Sequence, residues 1–339
     1  IVRKLTAGQV DRIRPCVGAT YCSTYRQCIH NAATGREATL PHDIAPAPVP
    51  RRAVVVGGGP AGMEAARVLA HRGHRVTLFE AAEKLGGQIL LAARASWRKD
   101  LIGITDWLSG ELAALGVDVR LGEFAGAEEI AALPPDITIL ATGGVPDTDW
   151  VAGDAEVLST WDMLSATEPP KGEVLIMDAS GRSPGISCAD WLSGLRVKVE
   201  LVTPERMVGH QTGKIEAPIY LSHLYENGVS FTTDHTATVV EKYNGRIRVE
   251  LVNVLTGAVQ DRVVDHVVVE RGTVPNDELW RELAPTSINE GVTDPDALAL
   301  GRPQPHADAS GQLYRIGDAV ASRDIHAAIF DALRLVKDL

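Results

Sequence analysis

Residues Ala53–Glu80 read AVVVGGGPAGMEAARVLAHRGHRVTLFE: a strand, a glycine turn, a helix and a second strand that ends on an acid. Ala53–Val56 is apolar throughout, the pattern of a strand buried on both faces of a parallel sheet. Gly57, Gly59 and Gly62 then fit G-x-G-x-x-G, with Pro60 and Ala61 between the last two. One glycine bends the turn, one lets the backbone approach a pyrophosphate, and one lets the helix lie close on the strand. The helix aims its free N–H groups and positive end at that pyrophosphate. Arg75–Phe79 makes the next strand, and Glu80 at its end can accept hydrogen bonds from both ribose hydroxyls of an adenosine. Together these features predict a dinucleotide or ADP site; the alternative is a glycine-rich turn in an unliganded sheet.

The surrounding chain sets the class. Its 339 residues suffice for two domains with real cores, and 45% hydrophobic with 23% charged residues is ordinary for a globular protein. With 33 basic against 44 acidic residues the net charge is −11, which argues against a nucleic-acid partner. No apolar run approaches the roughly 18 residues of a membrane span and no signal peptide is evident, so no membrane partner and a cytoplasmic location are expected. The first residue is Ile1, not methionine, and the chain is expected to be a fragment or a processed subunit.

Ile1–Arg14 is basic and amphipathic, without a core of its own, and reads as a short helix followed by an extended entry. Three of the four cysteines, Cys16, Cys22 and Cys28, follow on a loop. Such loops supply thiolates to iron–sulfur or structural zinc centres; the spacing does not choose between these, and buried free thiols are a third possibility. Cys188 lies in a helical pattern and reads as core. The proline-rich stretch 32–52 is a semi-rigid connector.

After Glu80, Leu85-Gly86-Gly87-Gln88 breaks the pattern, Lys99–Leu115 has helical spacing, and strands are expected at Val117–Leu121 and Asp136–Leu140. The small-residue turn Ala141-Thr142-Gly143-Gly144 either passes a nucleotide or simply leaves the strand. A second β-α-β unit follows from about Val151, with strands Val174–Met177 and Val197–Val202 around a helical Cys188–Leu195. Its turn, Asp178–Gly185, does not fit the glycine pattern. Strands at Val229–Thr233, Thr238–Glu241, Ile247–Val254 and Val263–Glu270 suggest an antiparallel meander. Leu313–Ala319 is a strand entering the helix Ile325–Leu339, where Asp318 is either a contact to a ribityl or ribose hydroxyl or a helix cap.

In this order, the cysteine loop, GGGPAG…FE, GGQI, ATGG and RIGDA resemble the C-terminal half of the trimethylamine dehydrogenase and 2,4-dienoyl-CoA reductase family. CIHNAATGRE and GDAVASRDIHAAIFDALRL are most similar to its N-methylproline demethylase branch. The resemblance covers essentially the whole chain. It implies an α/β fold of two Rossmann-like, glutathione-reductase-like domains behind an iron–sulfur segment. The expected domains are 1–50 (cluster segment and linker), 51–150 plus 303–339 (FAD or ADP), and an inserted 151–302 of degenerate NAD(P) type. It further implies Cys16, Cys22 and Cys28 as 4Fe–4S ligands, and Gly57, Gly59, Pro60, Ala61, Gly62, Glu80, Gly86, Gly87, Gln88, Thr142, Gly143, Gly317 and Asp318 as the FAD or ADP site. FMN would sit on a barrel upstream or on a partner chain, electrons would leave to an electron-transfer flavoprotein, and a homo-oligomer is expected.

Three departures bear on function. Ala19 stands where the family carries a further cysteine, and only five residues separate Cys22 from Cys28, where the family has a longer stretch. The degraded Asp178–Gly185 turn weighs against NAD(P)H binding. The barrel lies outside this chain, so no catalytic base can be named. The expected activity is a flavin-dependent oxidative demethylation of an N-methylated amine or amino acid. An NAD(P)H-dependent enoate reductase and a non-catalytic nucleotide-binding subunit are the alternatives.

Overall fold

The computed structural model describes residues 2–149, 151–213 and 215–339. Ile1, which opens the amphipathic stretch, lies outside them. The chain divides into two compact units: residues 1–90, 100–145 and 274–339 form the first, and 91–99 with 146–273 the second.

The first unit opens with two short helices, α1 (Val2–Thr6) and α2 (Tyr21–Tyr25). Then come β1 (Arg52–Val56), α3 (Pro60–His71), β2 (Arg75–Glu80), α4 (Gln88–Ala92), α5 (Ile102–Ala114), β3 (Asp118–Leu121), α6 (Ala127–Ala132), β4 (Ile137–Leu140) and β5 (Gly144–Pro146). The second unit holds β6 (Leu158–Ser159), α7 (Thr160–Ser165), β7 (Glu173–Asp178), α8 (Ser183–Gly194), β8 (Lys198–Val202), α9 (Glu216–Glu226) and β9 (Ser230–Thr232). It continues through β10 (His235–Tyr243), β11 (Arg246–Asn253), β12 (Val259–Val264) and β13 (His266–Glu270). The chain returns to the first unit through β14 (Thr273–Pro275), α10 (Glu278–Leu283), α11 (Pro295–Ala299), β15 (Gln312–Arg315) and α12 (Ile325–Val336).

Each unit is built on a five-stranded parallel sheet, in the order β15-β4-β1-β2-β3 and β6-β13-β7-β8-β9 respectively. The central strands are apolar because both faces are covered, by helices in the first unit and by helices on one face and the β10-β11-β12 meander on the other in the second, and β4 is buried at all four positions. In both sheets the loops that can receive a ligand lie at the carboxyl ends of the strands, where the strand order reverses.

The expected meander is present as β10-β11-β12, antiparallel throughout. Val263–Glu270 is not one strand, however. Asp265 breaks it: its N–H donates to Glu173 O (3.0 Å), its carboxylate accepts from Glu173 N (2.7 Å), and Arg246 clamps it. β12 therefore ends in the meander and β13 starts in the parallel sheet.

The expected domain limits also shift. Residues 274–302 belong to the first unit, since Leu279, Trp280, Leu283 and Ala284 lie in a core with Val54, Val56 and Phe79. Residues 91–99 belong to the second: Arg94 donates to Leu164 O and Ala166 O, and Trp97 stacks on Tyr220 at 4.3 Å. Residues 1–50 are part of the first unit rather than a separate segment, held by Arg12 on Glu111 (2.8 Å) and buried Glu64 facing Arg14 at 3.6 Å.

Candidate functional site

The glycine turn of the first unit is shaped by contacts that only glycine permits. Gly57 has φ +103°, and a Cβ there would strike the Ala141 carbonyl; a Cβ on Gly62 would strike the Gly57 carbonyl. Around Gly59, by contrast, nothing among the described residues lies within 4 Å of where a Cβ would stand. The turn is thus tight on its protein side and open on the other, the shape that lets a phosphate reach backbone N–H groups. No side chain caps the N-terminus of α3, whose first-turn donors remain for such a ligand.

Glu80 is set by two backbone donors: Gly58 N to Oε2 and Ala82 N to Oε1, both at 2.7 Å. Each carboxylate oxygen keeps a second lone pair, so the group can still accept from two hydroxyls. The Leu85–Gln88 turn meets the glycine turn through Gly86 N to Gly58 O (2.9 Å), and Gln88 Nε2 donates to Asp318 Oδ2 at 3.0 Å. Gly317 sits against Ala61. Gly57–Gly62, Glu80, Gly86–Gln88 and Gly317–Asp318 therefore converge on one edge of the sheet. Thr142 and Gly143 adjoin it through Ala141, but Thr142 Oγ1 donates to Asn276 O (2.7 Å) and Gly143 O accepts from Asn276 N (3.0 Å).

The cysteine loop does not present a ligand set. Cys16 and Cys22 are exposed and Cys28 is half-buried, and among the described residues no group of three His, Cys, Asp or Glu side chains is placed to hold a metal ion. Left-handed residues at Thr20 (φ 47°) and Arg26 (φ 56°) bound the one-turn helix α2, which turns Cys22 outward. The loop is nevertheless anchored. His326, the second residue of α12 and buried, is within 3.1 Å of Arg36 Nη1 at Nε2 and 3.0 Å of Cys28 O at Nδ1. A guanidinium only donates, so Nε2 accepts and Nδ1–H donates to Cys28 O. Burial lowers the pKa of this ring, in keeping with a neutral imidazole.

The corresponding turn of the second unit ligates itself. Asp178 Oδ1 accepts from Ser180 N (3.0 Å), Ser180 Oγ (2.9 Å) and Gly181 N (2.9 Å), taking backbone donors that a phosphate would need. A Cβ on Gly181 would meet the His210 ring, and Gln211 N donates to Gly181 O (3.0 Å). Burial, followed by the charge of Glu270 on the neighbouring strand, pushes the Asp178 carboxyl up to about 7.

A family model described as pyridine nucleotide-disulphide oxidoreductase matches residues 17–151 and 51–329. The chain belongs to that family. Among curated relatives, an N,N-dimethylglycine/sarcosine dehydrogenase from Chromohalobacter salexigens is 46% identical over 361 residues, covering 100% of this chain and 52% of the relative. A probable N-methylproline demethylase from Rhizobium meliloti is 43% identical, again over 100% of this chain and 52% of the relative. The chain thus spans about half the length of the curated relatives it matches. Among solved structures, a histamine dehydrogenase from Rhizobium sp. 4-9 shares the fold with a TM-score of 0.85 at 24% identity, over 100% of this chain and 53% of that one. The expected similarity to N-methylproline demethylases thus holds along the whole chain, and its fold is that of a solved amine dehydrogenase. No helix among the described residues is long and apolar enough to cross a membrane.

Sequence reasoning missed several residues that build the oxidoreductase cradle. Asp331, buried on α12, accepts from Gly317 N at 3.3 Å and pairs with Arg323 and Arg334. Arg323 N in turn donates to Asp318 Oδ1 (3.1 Å). Gly58, the unassigned middle of the glycine pattern, donates its N–H to Glu80 Oε2, and a Cβ there would press on the Leu85 side chain at 2.5 Å and on Glu80 Oε2 at 2.9 Å. Arg334 is an i,i+3 neighbour of Asp331 on α12, but Gly317 and Arg323 are reached only when the turn before α12 folds onto the helix, which leaves no local signal for the role of Asp331. Gly58 could have been found by asking what holds the Glu80 carboxylate.

Proposed function

We propose that this chain is the nucleotide-binding, electron-transferring part of a flavin-dependent oxidoreductase that demethylates an N-methylated amine or amino acid. The observation that carries the proposal is the contrast between the two turns, open toward a ligand at Gly59 and closed by Asp178 in the second unit. The names of the relatives, a dimethylglycine/sarcosine dehydrogenase and an N-methylproline demethylase, support N-methylated amino acids as the substrate class. Their length, about twice that of this chain, leaves room for an FMN-bearing barrel on which substrate oxidation takes place.

The cradle residues fit the adenosine end of FAD or ADP. Glu80 would accept from the ribose hydroxyls with its free lone pairs. The first turn of α3 and Gly59 would receive the pyrophosphate, and Asp318, oriented by Gln88 and Arg323, would accept from a further hydroxyl. When bound, FAD supplies a carrier able to take up and release electrons; the protein binds it, orients it and excludes water. The three thiols are not gathered as ligands, so no step here passes through a 4Fe–4S cluster. An electron-transfer flavoprotein is the proposed acceptor, and the self-ligated Asp178 turn favours it over NAD(P)H as the second redox partner.

Anaerobic absorbance spectroscopy of the full-length enzyme tests this. N-methylated amino acids should bleach the flavin, whereas NADPH alone should not. Bleaching by NADPH with no response to amines would establish the enoate-reductase alternative instead. No bleaching by either would leave only a nucleotide-binding subunit.

A further inference from the structure

A cation taken partly out of water without a partner is costly, and Arg98 is one. It is half-buried, its Nε is enclosed, and among the described residues its guanidinium makes no hydrogen bond or ion pair. The indole Nε1 of Trp97, the preceding residue, is also enclosed and has no partner among the described residues. The backbone carrying these donors is fixed. Buried Asp190 on α8 accepts from Ser96 N (2.6 Å), Ser96 Oγ (3.1 Å) and His223 Nδ1 (2.8 Å). The Trp97 ring stacks on Tyr220 of α9 at 4.3 Å and meets His223 edge-on at 6.2 Å. Glu216 stands one turn before Tyr220, so the helix carries it on the same face. Arg98 and Glu216 feel each other's charge, yet among the described residues no ion pair joins them. Burial lowers the pKa of the first and raises that of the second, so each charge is short of a partner. All these residues belong to the second unit, and Trp97, Arg98, Glu216 and Tyr220 each keep some surface open to solvent.

We propose that Trp97, Arg98, Glu216 and Tyr220 form a binding site for a small amino-acid zwitterion. The function proposed above places no amino-acid contact on this chain, and this inference adds one. The Arg98 guanidinium and the Trp97 N–H, which only donate, take the carboxylate. The ionised Glu216 carboxylate, which only accepts, takes the ammonium N–H, and the Tyr220 ring offers that cation a π-face. A simple anion would leave Glu216 unpaired beside a like charge, and a simple cation would do the same to Arg98. A ligand carrying both charges a few atoms apart answers both groups and brings no net charge into half-buried surroundings.

Titration calorimetry of the full chain with sarcosine, a zwitterion of the N-methylated class named above, and with acetate and methylammonium as its two halves tests the site. Sarcosine should bind saturably, and each half at least about tenfold more weakly, since it leaves one charge without a partner. Arg98→Gln and Glu216→Gln should each weaken sarcosine by about 10- to 100-fold, the loss of one charge-assisted bond, with thermal melting to show that both variants fold. No saturable heat from sarcosine overturns the inference on the wild-type chain alone. Acetate binding as tightly as sarcosine, with Glu216→Gln unchanged, also overturns it and marks a simple anion site. Wild-type sarcosine affinity in both variants does the same. Flavin bleaching by amines in the full-length enzyme is read separately. Bleaching without sarcosine binding to this chain removes the site alone, and sarcosine binding without bleaching removes the proposed function alone.

Discussion

Asp178→Asn is expected to stabilise the second unit above neutral pH. Asp178 ends the central strand β7 and is fully buried; Oδ1 takes three donors, while Oδ2 has no partner among the described residues. Glu270, also buried, stands opposite it in the β13–β7 register. Burial first, and the Glu270 charge second, raise the folded pKa to about 7, against about 3.9 in an unfolded chain. The sign follows from proton counting. Between these values the folded chain binds more protons than the unfolded one, so the stability contributed by the protonated group is fully present below about pH 4 and is lost as pH rises through 7. The gap is worth about 4 kcal/mol as an upper limit at pH 8. Asparagine keeps a carbonyl oxygen for the Ser180 and Gly181 donors and carries no charge. Urea unfolding of wild type and variant from pH 4 to pH 8, with hydrogen exchange at β7 to isolate the second unit, should show curves that agree near pH 4 and diverge as pH rises to 8, the variant then being the more stable by about 2–4 kcal/mol. Equal pH dependence, or a variant weaker than wild type at pH 8, would refute the reasoning. A residual fall in the variant is expected from Glu270, whose pKa burial also raises.

The first unit yields three more. Glu80→Ala should weaken ADP by at least about tenfold, since each charge-assisted bond to ribose is worth about 1.5–3 kcal/mol; unchanged affinity on titration would remove the ribose assignment. Gly62→Ala forces a Cβ into the Gly57 carbonyl and should cost about 1–3 kcal/mol of stability together with ADP binding, checked by thermal melting and titration. Thiol labelling read by mass spectrometry should find Cys16 and Cys22 fast, Cys28 slower and buried Cys188 unreactive until unfolding. His326→Ala should speed Cys28 alone, and a wild-type rate there would mean that the Cys28 carbonyl contact does not hold the loop.

Much of the cradle was legible because its signals are local. G-x-G-x-x-G between an apolar strand and a helix, with an acid closing the next strand, specifies the turn through contacts spanning a single β-α-β unit. The resemblance placed Gly57, Gln88 and Asp318 in one site, but the contacts of Gly57 with Ala141 and of Gln88 with Asp318 were not expected, since no short-range rule links residues so far apart in the chain. The cysteine loop went the other way. Spacing suggested a ligand set, but thiol direction depends on the backbone at Thr20 and Arg26, which spacing does not encode. The strand across Asp265 failed for a related reason: its β pattern is continuous, and only the pairing with Glu173 and Arg246 interrupts it.

From sequence alone come two β-α-β units, the intact glycine turn at Gly57–Gly62 and the acid at Glu80, because hydrophobic periodicity and glycine stereochemistry act over a few residues. Tertiary structure alone decided that Gly57 packs on Ala141, that Gln88 reaches Asp318, and that Trp280 and Leu283 return to the core of the first sheet. These are matters of which groups pack or pair across long stretches of chain. They are settled only when segments distant in the chain are brought together.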